Sequence, residues 1–466
     1  MPLSPYTADT ICALSTPHGT GAIAIVRLSG PLSQHIIQAV FKPASKQLDL
    51  TKAESHKQYF GTIVHKDEII DEVLVSLFRA PHSYTGEDAA EISCHGSTYI
   101  QQQLLEILLF SGARLAEPGE FTMRAYLNGR FDLAQAEAVA DLIASQSRNA
   151  HALAMNQMRG GFSSKIAALR AQLVDFASLI ALELDFSEED VEFADRAKFF
   201  GLLAELRAEI SLLLESFRTG NAIKNGIPVA IIGKPNVGKS TLLNAILNEE
   251  RAIVSEIPGT TRDVIEDTIV IDGYNFRFID TAGLRDSEDL IESMGIERTW
   301  EKIRQATVIL YVCDLSSCQG QKADDMLEEF RTYLADGEKH FILVGNKTDM
   351  LGEIPAHFRE MVELETIFVS AKRKENINLI SESLVKAVKQ MDVGSDAIVS
   401  NTRHFQALKL AQEALDAVEA GFRNKLPTDL ATVDIRTALY HLGSITGEIS
   451  SDEILGNIFG KFCIGK

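Results

Sequence analysis

At 466 residues the chain is longer than one hydrophobic core ordinarily supports, so two or three domains are expected. A formal net charge of −20 excludes a general nucleic-acid binder that presents a basic surface to phosphates; any RNA contact must be local or supplied by a partner. Cys12, Cys94, Cys313, Cys318 and Cys463 are odd in number, scattered and without a CxxC pair, which excludes a disulfide framework or a zinc site.

Residues 1–19 show no basic stretch followed by an apolar one, and no apolar run approaches the ~18 residues of a membrane span, so a soluble cytoplasmic protein with no stable membrane insertion is expected. Residues 1–120 alternate short β-like runs (Ala22–Leu28, Val73–Phe78, Ala89–Ser93) with an amphipathic helical stretch, Tyr99–Phe110, and read as a small α/β domain. Residues 121–221 are helical in pattern, with Leu133, Ala136, Val139, Ala140 and Ile143 spaced as one apolar stripe. Over 222–385 the apolar runs Ile227–Ile232, Phe276–Ile279, Val308–Val312, Phe341–Val344 and Ile367–Val369 alternate with helices, predicting a doubly wound parallel sheet; Asp272-Gly273 supplies a hairpin turn. Residues 386–466 return to helix through Phe405–Phe422, Asp429–Leu442 and Ser451–Phe459. The organisation expected is a helical domain split in sequence by an inserted α/β domain.

Strand Val229–Ile232 enters Gly233-Lys234-Pro235-Asn236-Val237-Gly238-Lys239-Ser240-Thr241 and then a helical run, the P-loop pattern in its required setting. Glycines let backbone N–H groups close around phosphates, Lys239 sets a charge on the β- and γ-phosphates, and the Ser240 hydroxyl can ligate magnesium. Asp280-Thr281-Ala282-Gly283, Asn346-Lys347-Thr348-Asp349 and Ser370-Ala371-Lys372 follow at successive strand ends, where such a sheet binds its ligand. Asp280 would hold magnesium through water, and Asp349 can accept from guanine N1–H and the 2-amino group. Adenine offers no such pair, so GTP is the expected nucleotide.

The position after Gly283, where many small GTPases carry a water-orienting glutamine, is Leu284. Asp286, Glu288, Asp289 and Glu292 are carboxylate candidates for that task, and spacing alone does not choose among them; an acidic run of this kind is otherwise a solvated face. Arg262 and Arg285 lie in switch-like runs, where each could act on phosphates or pair with carboxylates. Asn236 and the run Ser255-Glu256-Ile257-Pro258-Gly259-Thr260-Thr261-Arg262-Asp263 offer oxygen ligands suited to a hard cation.

GTTRD (259–263) with DTAGLR (280–285) and NKTD (346–349) resembles the Era-like class of GTPases. Within that class Thr85-Gly86-Glu87-Asp88, Pro118-Gly119-Glu120-Phe121, Asp132–Ala138 and the final Phe462-Cys463-Ile464-Gly465-Lys466 resemble the MnmE (TrmE) family of tRNA-modification GTPases. The resemblance implies potassium held by Asn236, Ser255, Ile257 and Thr260, magnesium completed by Thr261, water oriented by Glu292, and activation by dimerisation of the G domains. It puts Glu292, Lys239, Arg262 and Cys463 among the catalytic residues, and implies a folate-binding first domain that also forms a homodimer. Arg27, Glu91, Arg130 and Lys466 would surround a 5-formyltetrahydrofolate-like cofactor. A flavin-bearing partner similar to MnmG (GidA) is implied, in a heterotetramer that carries most of the tRNA contact. The reaction implied is 5-carboxymethylaminomethyl or aminomethyl modification of wobble uridine 34. An Era-like ribosome-assembly GTPase and a purely regulatory switch are the alternatives; the absence of a basic GxxG-type module weighs against the first. Taken without the resemblance, Gly19-Thr20-Gly21 and Arg27 read as structural, Cys463 as incidental, and His18, His82 and His95 as satisfying local hydrogen bonds.

Overall fold

The computed structural model describes residues 9–45, 49–50, 52–185, 196–249, 267–279, 304–317, 339–351, 365–390, 397–424, 428–449 and 452–466. Contacts divide the chain into two units, one of residues 1–140, 157–175 and 439–466, the other of residues 141–156 and 176–438. Among the described residues no helix is long and apolar enough to cross a membrane.

The first unit is built on a seven-stranded sheet in the order β3-β4-β5-β6-β2-β1-β7. Its strands are β1 (Ile11–Leu14), β2 (Ile23–Ser29), β3 (Phe41–Pro43), β4 (Lys57–His65), β5 (Glu68–Phe78), β6 (Ala89–His95) and β7 (Arg114–Leu115). All neighbours are antiparallel except β1 and β7. Helices α1 (Ser33–Val40) and α2 (Thr98–Phe110) contribute Ile36, Ile37, Leu104 and Leu108 to a core shared with Val26, Leu28, Val75 and Ile92. Sequence periodicity anticipates β2, β6, α2 and the second half of β5. It misses β1, β3, β4 and α1, which are short or carry polar residues on their uncovered side; β4 has only Gly61 and Ile63 buried.

Helices α3 (Glu120–Leu127), α4 (Leu133–Ala144), α5 (Arg148–Met158), α6 (Gly161–Asp185) and α7 (Arg196–Asn225) follow in the chain. The expected stripe on α4 holds for Leu133, Ala136 and Val139, but Ile143 is 51% exposed. The helix is buried on several faces at its start, where Glu137 and Ala138 are also covered, and emerges at its end.

In the second unit a six-stranded sheet has the order β13-β12-β11-β8-β10-β9. Its strands are β8 (Ile227–Ile232), β9 (Asp267–Ile271), β10 (Tyr274–Phe278), β11 (Val308–Asp314), β12 (His340–Asn346) and β13 (Glu365–Phe368); all pair in parallel except β9 with β10, which Asp272-Gly273 joins as a hairpin. Burial on both faces explains the unbroken apolar runs. Val229, Ile231, Leu310 and Val344 face one core, while Ala230, Ile232, Ile309 and Leu343 face another. Helices α8 (Lys239–Glu249) and α9 (Ile377–Gln390) are followed by α10 (Thr402–Arg423), α11 (Thr428–Thr446) and α12 (Asp452–Phe459).

Behind the first sheet Arg124 is fully buried and held by three carboxylates: Nη2 donates to Asp9 at 2.6 Å and to Glu120 at 2.9 Å, and Nη1 to Glu87 at 3.3 Å. Arg114 adds two bonds to Glu120 at 2.6 and 2.9 Å. Burial pushes the Glu120 carboxyl up, but the bonds from Arg114, the Glu117 N–H and Arg124 outweigh it and hold it below the usual carboxylate range. Its contribution is therefore present above pH ~4.5 and is lost as the pH falls through the depressed folded value. Because Arg124 keeps Asp9 and Glu87, Glu120→Gln is expected to destabilise this unit by about 3 kcal/mol at pH 7, the low end for a broken buried pair. Thermal melts of wild type and variant should converge toward pH 4; melts that stay equally far apart would show that this carboxylate's charge is not what matters.

Candidate nucleotide and anion sites

Strand β8 ends at Ile232, the loop 233–238 follows, and α8 begins at Lys239 with Ser240 and Thr241 in its first turn, so the loop amides and the helix N-terminus face the same space. Two glycines in the loop are required. Gly233 has φ 147° and a β-carbon there would lie 2.2 Å from the Val312 carbonyl oxygen; Gly238 has φ 97° and a β-carbon would meet the Asn346 side-chain nitrogen at 2.4 Å. Asn346 fills that space for a purpose: its Nδ2 donates to the Val237 carbonyl at 2.8 Å, and its Oδ1 accepts from the Ala371 N–H at 3.0 Å. One buried amide thus ties the loop after β8 to the ends of β12 and β13.

Lys239 Nζ donates to the carbonyls of Gly233 and Lys234 at 2.9 and 2.8 Å, which places its charge over the loop. Asp349 lies in the short 3-10 turn Thr348–Met350, and its Oδ1 accepts from Ser370 Oγ at 2.7 Å. That bond holds the Asp349 carboxyl below the usual range and orients it, while leaving a second oxygen for a base. Ala371 is buried and Lys372 exposed, in a turn closed by the Ser370–Glu375 bridge. The structure therefore brings together Asn236, Val237, Gly238, Lys239, Ser240, Thr241, Asn346, Lys347, Asp349, Ser370, Ala371 and Lys372 at the carboxyl ends of the parallel strands. Ser255, Glu256, Ile257, Pro258, Gly259, Thr260, Thr261, Arg262, Asp280, Thr281, Ala282, Gly283 and Glu292 lie outside the described residues.

Sequence reasoning missed Asp314. It sits where β11 stops, opposite Asn346 in the parallel register, and its Oδ2 accepts from Lys347 Nζ at 2.7 Å. Asp314, Lys347, Lys234 and Asn236 line a cavity of about 230 Å³ beside the loop. A more open concavity of about 650 Å³ lies elsewhere in this unit, between Ile271 and Lys389, and contains none of the residues above.

In the first unit Arg27 on β2 lies directly opposite Glu91 on β6. Its Nε and Nη2 both donate to Glu91 Oε1, at 2.9 and 2.8 Å. The guanidinium lies over the rings of Tyr84 and Phe121, 5.2 and 5.6 Å from their centroids. Its Nη1 is buried and has no hydrogen-bond partner among the described residues. Such an orphan is costly unless a ligand satisfies it.

The carboxyl-terminal run reaches the same place. Gly119, at the start of α3, would with a β-carbon approach the Phe459 carbonyl to 2.6 Å, and Gly465 would approach the Leu14 carbonyl to 2.3 Å; both have positive φ, 69° and 94°. Only backbone fits at either point. Burial and the neighbouring Arg27 push the Lys466 ammonium below the usual lysine range, while Glu91 and Cys463 oppose the shift. Cys463 is exposed. Arg130 packs its stem against the 84–88 loop at Gly86, and no hydrogen bond or ion pair among the described residues links it to Arg27, Glu91 or Lys466. Tyr84 and Phe121 went unrecognised as site residues, although they adjoin or belong to the motifs Thr85–Asp88 and Pro118–Phe121. The ring stacking that makes them matter has no periodic signal.

Residues 10–130 match the family model described as "GTP-binding protein TrmE N-terminus", and residues 133–463 match "MnmE helical domain". The tRNA modification GTPase MnmE of Flavobacterium psychrophilum is 51% identical over 98% of this chain and 99% of its own length; that of Bacteroides fragilis is 50% identical over 98% and 99%. The G domain of the T. maritima FeoB iron transporter is 25% identical over 34% of this chain and 98% of its own, with a TM-score of 0.26, too low to bear on the fold. With two family models covering nearly all of its length and half its residues shared end to end with these relatives, the chain belongs to the MnmE family of tRNA modification GTPases.

Proposed function

We propose that the chain is a cytoplasmic GTP hydrolase whose cycle serves modification of wobble uridine 34 in tRNA, at carbon 5, together with an MnmG-like flavoprotein. The observation that carries the GTPase half is the Asn346 bridge, which sets a phosphate-binding loop and a base-reading carboxylate, Asp349, around one cleft. Loop amides and Lys239 bind the phosphates, and Asp349 selects guanine. Magnesium would be held by Ser240 with Thr261, and potassium by Asn236 with Ser255, Ile257 and Thr260; when bound, the cations supply positive charge against the phosphate oxygens. Glu292 orients the attacking water, since Leu284 cannot.

The second half rests on the Arg27 site. An orphaned buried guanidinium N–H, two aromatic rings and a half-buried lysine fit a planar, hydrogen-bonding ligand with an anionic tail, as a folate is. Arg27, Glu91 and Lys466 would hold it, with Arg130 at its periphery, and the bound folate would supply a one-carbon unit. Cys463 stands exposed beside Lys466 in sequence, available to the modification chemistry. A homodimer through the first domain, and a heterotetramer with the flavoprotein that carries most of the tRNA contact, agree with a chain of net charge −20.

Three outcomes are expected. Asp349→Asn should weaken GTP binding on the order of 100-fold and confer binding of xanthosine triphosphate, because an amide can donate to the xanthine 2-oxo group; equal GTP affinity in a filter-binding titration would remove Asp349 from the base site. Glu292→Ala should keep GTP affinity and lose most single-turnover hydrolysis, and unchanged hydrolysis would overturn its role. Mass spectrometry of tRNA nucleosides from cells lacking the gene should show an unmodified wobble uridine, restored by the intact gene. An unchanged wobble base with accumulated ribosomal precursors would favour ribosome assembly instead.

A further inference from the structure

Lys347 and Asn236 are both held in left-handed backbone conformation, at φ 66° and 64°, and they meet: Lys347 Nζ donates to the Asn236 carbonyl at 3.0 Å. A lysine ammonium is strongly hydrated and its stem flexible, so a contact with one carbonyl does not by itself fix it. Asp314 supplies what is missing. Its side chain is 13% exposed, against 30% for Lys347, and its Oδ1 accepts from the Ser316 N–H at 3.0 Å and the Ser316 hydroxyl at 2.6 Å. The carboxylate is therefore oriented before Lys347 arrives. Burial pushes its carboxyl up, but the bonds from Lys347 and Ser316 prevail and keep it below the usual range, so it is ionised at neutral pH. Parallel register makes the arrangement obligatory: Asp314 pairs with Asn346, and the Leu315 N–H donates to the Asn346 carbonyl at 3.1 Å, leaving Lys347 one residue away.

We infer that Asp314 is a positioning residue for nucleotide retention: through Lys347 it latches the phosphate-binding loop at Asn236 to the base-binding turn 346–349. The inference rests on the nucleotide lying in this cleft. A bound GTP or GDP would span both elements, with its phosphates on the loop and its base on the turn, and could leave only if the two part. The Asp314–Lys347–Asn236 bridge joins them without touching the reacting phosphate, and it acts on residence of the nucleotide more than on the chemical step.

Stopped-flow dissociation of a fluorescent GDP analogue from the full chain tests this. Asp314→Ala should speed release roughly tenfold, and the isosteric Asp314→Asn, which keeps an acceptor for Ser316, should give a smaller acceleration of the same sign. For GTP hydrolysis, KM should rise by a larger factor than kcat falls. In a Lys347→Ala background, adding Asp314→Ala should change release by less than about twofold, since the latch is already gone. Release unchanged in both Asp314 variants, or accelerated equally with and without Lys347, would overturn the inference. Wild-type protein that binds no analogue would instead overturn the placing of nucleotide in this cleft.

Discussion

The side-chain amide of Asn346 is the constraint on which the nucleotide cleft depends. A backbone loop that must present several N–H groups to phosphate cannot also bond to itself, so its shape has to be imposed from outside. Asn346 does this with one donor and one acceptor, reaching the carbonyl of Val237 and the N–H of Ala371. Gly238 is the complement of that amide, since a side chain there would stand in its place. The parallel sheet brings the partners near enough: β8, β11, β12 and β13 end at one edge because their registers run in step.

The two arginines of the first unit show how one side chain serves opposite ends. Arg124 is surrounded by Asp9, Glu87 and Glu120, its charge is fully answered, and it acts as a fastener for α3. Arg27 is given one carboxylate and two rings, and its remaining N–H is buried without a partner. The second arrangement is the less stable and the more useful. Stabilisation left incomplete in the folded protein is available to a ligand that completes it. The two are connected in the chain, because Glu120, which answers Arg124, precedes Phe121, which carries Arg27.

Much of this was legible before any coordinates. Continuous apolar runs located the strands of the second sheet, and motif spacing placed Lys239, Asn346 and Asp349 at strand ends. Both signals work because they are local: a P-loop is one stretch of backbone, and a doubly buried strand is apolar throughout. The first sheet was harder to see, since β4 pairs along its whole length with β5 while burying little of its own side-chain surface. Asp314 was invisible for a related reason. Nothing in the run Val308–Asp314 marks its last residue as different, and its partner stands 33 positions away, reached only through strand register. Tyr84 and Phe121 likewise acquire meaning from a guanidinium on a strand far from them in sequence.

The close passes at Gly119 and Gly465 make the segment between them a ruler. Phe459 and Phe462 pack against the start of α3 while Gly465 slides past the Leu14 carbonyl, so both ends of a short stretch are fixed by contacts that admit no side chain. Each residue of extended chain spans roughly 3.5 Å, more than the reach of a hydrogen bond. Adding or removing a single residue between Phe462 and Gly465 would carry the ammonium of Lys466 out of the company of Arg27 and Glu91. Ile464, 53% exposed, could meanwhile vary in size with little consequence. In this stretch of the chain, length is under tighter physical control than composition.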